Sequence, residues 1–156
     1  MARATFSAVI DHPVEVVWEV IGDFHGIDRW VGMITASVAE GGGRGSVGSV
    51  RRLTLADGRT VAERLLMFDD VARRLAYDFP EGCPFPVDGF VGSVELAPIT
   101  ETGATFLQWH SSFDADGASR DAMASAFQAL YAGFVSDLRA HLEGSRFSTA
   151  TPVATR

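Results

Sequence analysis

The stretch GSVRRLTLADGRTVAERLLMFDD, residues 48–70, reads as two β-strands around a tight turn. Val, Leu and Thr alternate with polar residues on either side of Ala56–Asp57–Gly58, which is the pattern of a half-buried hairpin. Register decides which side chains share a face. A two-residue turn at Asp57–Gly58 would pair Arg52 with Glu63 and set Leu53 and Leu55 beside Thr60, Ala62 and Arg64. A three-residue loop with Gly58 in the left-handed position pairs Arg51 with Glu63 and Leu53 with Val61. One face then collects Leu53, Leu55, Val61, Leu65 and Met67. A one-residue slip turns every side chain over, so the hydrophobic pattern selects the three-residue loop.

That choice puts an arginine and a glutamate on the apolar face. On a half-wet sheet such a cross-strand pair contributes only about 0.2–1 kcal/mol. If both groups are buried, desolvation costs several kcal/mol that the attraction need not repay. Charges held at that cost belong disproportionately to binding or catalytic sites. The sequence leaves both readings open.

Outward from the hairpin, RATFSAVI (3–10) is β-rich and alternating, the first strand. Pro13 suits the first turn of a helix, and Val14, Val17, Trp18 and Ile21 follow at helical spacing with Glu15 near its positive end. Gly22 and Gly26 divide this region into two short helices. ITASVAE runs into the glycine loop EGGGRGSVG, which lacks the phosphate-loop motif and is followed by no helix. RRLAYDFP, VDGFVGSVELAP and ATFLQWHSSFDA supply further strands. SRDAMASAFQALYAGFVSDLRAHLE (119–143) is a long amphipathic helix, with Met123, Phe127, Leu130, Phe134 and Leu138 on one face and Ser119 or Asp116 as its cap. Strands in a run, closed by one helix, predict an α+β fold with an antiparallel sheet. Residues 1–145 form one domain and 146–156 a frayed tail.

The chain has 156 residues, of which 47% are hydrophobic and 21% charged, and it carries a formal net charge of −7. That balance argues against a nucleic-acid partner. MARATFSAVIDHPVE lacks a signal-peptide core and no stretch is long enough to span a membrane, so no membrane association and a cytoplasmic location are expected. The single cysteine, Cys83, reads as an unreactive loop thiol. His12, His25, His110 and His141 are dispersed, His110 on the outward parity of its strand. No metal-ligand spacing occurs, and no cofactor is expected.

HPVEVVWEVIGDFHGIDRW, GSVRRLTLADG, AERLLMFDD, RLAYDF, GFVGSVELAP and FLQWHSSFDADG occur in that order. Together they resemble the START-like, birch-pollen-allergen-like superfamily, also called SRPBCC or polyketide cyclase/dehydrase proteins. The similarity is greatest to the branch with bacterial MxaD-type proteins and plant lachrymatory-factor synthase. The resemblance implies a helix-grip fold: a curved seven-stranded antiparallel sheet around a long C-terminal helix, with a deep cavity between them. It implies acid/base roles for Arg51 and Glu63. It also shows a departure, Phe90, where the synthase branch has a tyrosine. Tyr77 is the candidate to replace that hydroxyl.

The candidate catalytic residues are therefore Arg51, Glu63 and Tyr77. Phe24, Trp30, Leu53, Leu65, Phe79, Phe90, Trp109, Met123, Phe127 and Tyr131 are the candidate ligand contacts. Glu63 would move a proton, and Arg51 would tune the carboxylate or hold an oxyanion. The leading reading is a cofactor-independent enzyme that cyclises, dehydrates or isomerises a polyketide-like or other carbonyl-bearing molecule, a lyase or isomerase. The alternative is a non-catalytic carrier or sensor for a small hydrophobic ligand. Oligomeric state stays open, a homodimer included.

Overall fold

The fold was obtained as a computed structural model that describes residues 1–148, with side chains described through residue 144. Seven antiparallel strands form one sheet in the order β1-β7-β6-β5-β4-β3-β2. They are β1 Ala2–Ile10, β2 Ile34–Glu40, β3 Val50–Leu55, β4 Thr60–Asp69, β5 Arg74–Asp78, β6 Asp88–Ile99 and β7 Ala104–Asp114. Helix α1, Val14–Ile21, and a 3₁₀ segment, Phe24–Arg29, carry the chain from one edge of the sheet to the other. Helix α2, Gly117–Ser148, lies mainly along β1. This is the helix-grip α+β fold that the sequence predicts.

The β3–β4 register is the expected one: Arg51 faces Glu63 and Leu53 faces Val61. Gly58 has φ +86, a left-handed conformation that costs glycine little. Its amide bonds to the Leu55 carbonyl, and the Leu55 amide bonds to the Arg59 carbonyl. Burying Leu53 at 2% exposure and Leu65 at 0% leaves no room for a slipped register.

One residue of the expected apolar face is misplaced. Leu65 pairs with Tyr77 but Met67 pairs with Ala76, so β4 spends one residue more than β5 at this point. This β-bulge reverses the in/out parity of the residues that follow. Phe68, not Met67, therefore packs on the core, against Trp18 at 5.4 Å between ring centroids.

The long helix opens two residues before the expected Ser119. Asp116 precedes the helix, and its carbonyl accepts the Ser119 and Arg120 amides and the Ser119 hydroxyl, so Ser119 lies in the first turn and is not the cap. The helix continues to Ser148, and the rest of the expected tail, 149–156, lies outside the described residues. Phe127, Tyr131, Val135, Leu138 and Leu142 are its buried stripe. Met123, Leu130 and Phe134 flank that stripe and are half-buried. With α2 seated on the β1 side, the concave face of β3–β5 is not filled by the helix.

Candidate functional site: a small apolar cavity over a buried ion pair

The space left between α2 and β3–β5 is a cavity of about 170 Å³. Leu53, Leu55, Val61, Glu63 and Tyr77 form its sheet side, and Phe127, Leu130, Tyr131 and Phe134 its helix side. Pro84 and Phe85 close it from the loop between β5 and β6, where the Phe85 ring meets Phe127 at 5.0 Å. Phe90 and Phe79, 4.9 Å apart, form an aromatic wall. A bulge at the start of β6, with Gly89 at φ +57, sets the direction of Phe90. Exposed Arg59 stands at the rim, bonded to Asp57 at 2.7 Å.

Arg51 and Glu63 are both buried, their side chains 6% and 11% exposed. Nε of Arg51 donates to Oε2 of Glu63 at 2.6 Å, and a second guanidinium nitrogen reaches the same oxygen at 2.5 Å. The third donates to the Phe24 carbonyl at 2.5 Å. The guanidinium also lies 3.8 Å from the centroid of the Phe24 ring, a cation–π contact that offsets part of its desolvation. The two charges play different parts. Glu63 lines the cavity, whereas Arg51 sits behind it in a narrow recess with Ile21, Trp30 and Trp109. All of the arginine's contacts with the pair go to Oε2. Among the described residues, Oε1 of Glu63 has no hydrogen-bond partner.

Two phenols accompany the carboxylate. The Tyr77 ring lies flat on β6 because residue 92 is glycine: a Cβ there would stand 2.5 Å from the ring. Nε1 of Trp109 donates to the Tyr77 hydroxyl at 3.1 Å, which leaves the phenolic proton free to donate. Burial, followed by the charges of Tyr131 and Glu63, pushes the Tyr77 hydroxyl well above the ordinary tyrosine range. Tyr131 stacks on Trp109 at 5.5 Å and 13° between planes. Burial likewise raises its hydroxyl, despite Ser111 beside it. Oη of Tyr131 and Oγ of Ser111 are buried as neighbours, too far or too misaligned for a well-formed hydrogen bond to each other, and neither has another partner among the described residues.

Of the sequence-predicted residues, Glu63, Tyr77, Leu53, Phe79, Phe90, Phe127 and Tyr131 line the cavity. Arg51, Phe24, Trp30, Leu65, Trp109 and Met123 do not. Phe24 is a stacking partner for Arg51, and Trp30 and Trp109 pack around that guanidinium. Leu65 is wholly enclosed in the core. Met123 lies one turn too near the start of α2. Met33, Ile34, Leu55, Val61, Arg59, Pro84, Phe85, Leu130 and Phe134 line the cavity without having been singled out as contacts. The parity of Leu55 and Val61 with Glu63 and the helical spacing of Leu130 and Phe134 were visible signals. Nothing local marks Pro84 and Phe85.

The remaining candidates stay outside the cavity. His110 pairs with Glu95 at 3.3 Å on the outer side. Nε2 of His25 meets the buried Ser49 hydroxyl at 3.2 Å, and burial together with the Arg51 charge lowers its pKa. Burial raises the Cys83 thiol, which fits its inert reading. No cluster of three or more metal-ligating side chains occurs among the described residues. No described helix is long and apolar enough to cross a membrane.

The profile of the polyketide cyclase/dehydrase and lipid transport family matches residues 1–143. The chain belongs to this family. Among solved structures of the fold, XoxI from Bacillus cereus is 30% identical, with a TM-score of 0.79 over 91% of this chain and 96% of its own. The major latex-like protein 151 of Panax ginseng is 20% identical, with a TM-score of 0.70 over 89% of this chain and 95% of its own. The di-domain ARO/CYC protein BexL, from the BE-7585A biosynthetic pathway, is 15% identical, with a TM-score of 0.77; the match covers 92% of this chain and 47% of BexL. The last two show shared fold alone. No curated protein matches the chain. Family membership agrees with a cavity closed by a long helix and places the chain in the SRPBCC superfamily.

Proposed function

We propose that the protein takes a small carbonyl-bearing molecule into the cavity and moves a proton on it with Glu63, without a cofactor. The observation that carries this reading is the division of the carboxylate. Oε2 is held by Arg51, and Oε1 is left without a protein partner in a group that lines an apolar cavity. A base needs that arrangement, one oxygen fixed and the other facing the reacting atom. Arg51 then acts as a positioning residue and not as an oxyanion holder, since its donors point to Glu63 and to Phe24. The donor to a developing oxyanion is the Tyr77 hydroxyl, oriented by the Trp109 N–H and kept protonated by its burial. Abstraction of a proton next to a carbonyl gives an enolate: return of the proton at a different atom isomerises the molecule, departure of a β-hydroxyl with that proton as water dehydrates it, and attack of the enolate carbon on a second carbonyl, whose oxygen takes the proton, closes a ring. The family description, which names cyclases and dehydrases, supports the same class.

The test begins with native mass spectrometry of the purified protein to recover a co-purified small molecule. That molecule is then incubated with the wild type and with Glu63→Gln. Conversion by the wild type alone is expected. Stoichiometric binding with no conversion by either protein rejects catalysis. It would favour a carrier, a reading that the largely apolar lining and the lipid-transport side of the family also support.

A further inference from the structure

The cavity holds more polar capacity than the protein uses. Glu63 Oε1 has no donor, and the Tyr131 hydroxyl, on a residue 1% exposed, has no partner. Ser111, 2% exposed on β7, leaves its hydroxyl unpartnered as well. Buried hydroxyls that make no hydrogen bond each cost on the order of 1–3 kcal/mol. Of these two hydroxyls only that of Tyr131 belongs to a residue lining the cavity, and a bound molecule is the partner the chain itself does not supply.

Size narrows the partner. A cavity of about 170 Å³ compares with the roughly 150 Å³ of an apolar cavity that admits benzene, and falls below the roughly 300–1,000 Å³ of sites for larger ligands. Phe79, Phe90, Phe127 and Phe134 are the flat surfaces around it. We infer that the cavity selects an uncharged molecule of single-ring size bearing one carbonyl oxygen, and that the Tyr131 hydroxyl on α2 donates to that oxygen. This rests on the cavity being the binding site, as proposed above, but not on turnover. It gives the long helix a chemical part in recognition and makes Tyr131, opposite the sheet, the second phenol of the site beside Tyr77.

The test compares two probes of nearly equal shape, cyclohexanone and methylenecyclohexane, titrated into the full-length protein by NMR. Both bind the wild type. Tyr131→Phe keeps the ring and removes only the hydroxyl, so it should weaken cyclohexanone by roughly 2- to 13-fold, the value of one net hydrogen bond. It should leave methylenecyclohexane within about twofold of wild type. The ligand-free variant should be at least as thermostable as wild type, because a buried unpartnered hydroxyl has been removed. An equal loss for both probes, unchanged affinity for both, or no binding of either to the wild type overturns the inference. Failure of the Glu63 turnover test with a retained cyclohexanone effect would reject catalysis and leave this assignment standing.

Discussion

Replacing Arg51 by methionine separates a pair held for stability from one held for chemistry. The guanidinium is the only described partner of the Glu63 carboxylate and also serves the Phe24 carbonyl. With the side chains of the pair only 6% and 11% exposed, its removal leaves a buried charge without a counter-ion. The cost is about 3–5 kcal/mol, a large share of the roughly 5–15 kcal/mol that holds a typical domain folded. At about 2–4 °C per kcal/mol for a chain of this size, the midpoint falls by about 6–20 °C. Glu63→Leu strands the cation instead and costs about as much. The double variant Arg51→Met/Glu63→Leu removes both desolvation costs at once, and it should regain wild-type stability or exceed it by about 1–4 kcal/mol. Urea unfolding of the four proteins measures the cycle. A double variant that is stable but no longer acts on the recovered ligand would show that the pair serves function at the expense of stability. Additivity of the single effects within about 0.5 kcal/mol, or single losses under about 1 kcal/mol as for a wet surface pair, refutes the reasoning.

Two further outcomes follow from the same site. The chain has only two tyrosines, Tyr77 and Tyr131, and burial raises both hydroxyls above the ordinary value of 10.0. Their folded-state pKa values exceed the unfolded ones, so their contribution to stability is complete below pH 10 and is lost as pH rises beyond it; absorbance at 295 nm should change only as the fold is lost, and a full tyrosine titrating near pH 10 in the native state would contradict this. Gly92→Ala would set a methyl group 2.5 Å from the Tyr77 ring and force that ring toward the cavity. Overpacking of this kind costs about 1–3 kcal/mol, and cyclohexanone binding should fall with it; unchanged stability and binding would show that the ring is free to move elsewhere.

The hairpin register was legible because only one pairing puts Leu53, Val61 and Leu65 together, and water enforces that grouping. For the same reason the alignment of Arg51 with Glu63 could be read before any coordinates. The long helix was legible too, in the spacing of Phe127, Leu130 and Phe134, and the run of strands before it gave the α+β class; the family and the helix-grip fold came from the resemblance that the order of motifs carries. Periodicity carries no information about a bulge, so the reversal at Leu66 that brings Phe68 inward came only from the pairing of β4 with β5. Nor does it say how far a helix stands from a sheet. The position of α2 over β1 leaves the space for a cavity, and Phe85 and Phe134 are among the side chains that bound it. That geometry also puts Glu63 at the cavity wall and Arg51 behind it, and brings Tyr131 to the same space from a residue 68 positions away in sequence (131 against 63). Sequence patterns specify which side chains avoid water; only the packed chain specifies which of them are left facing one another across an empty volume.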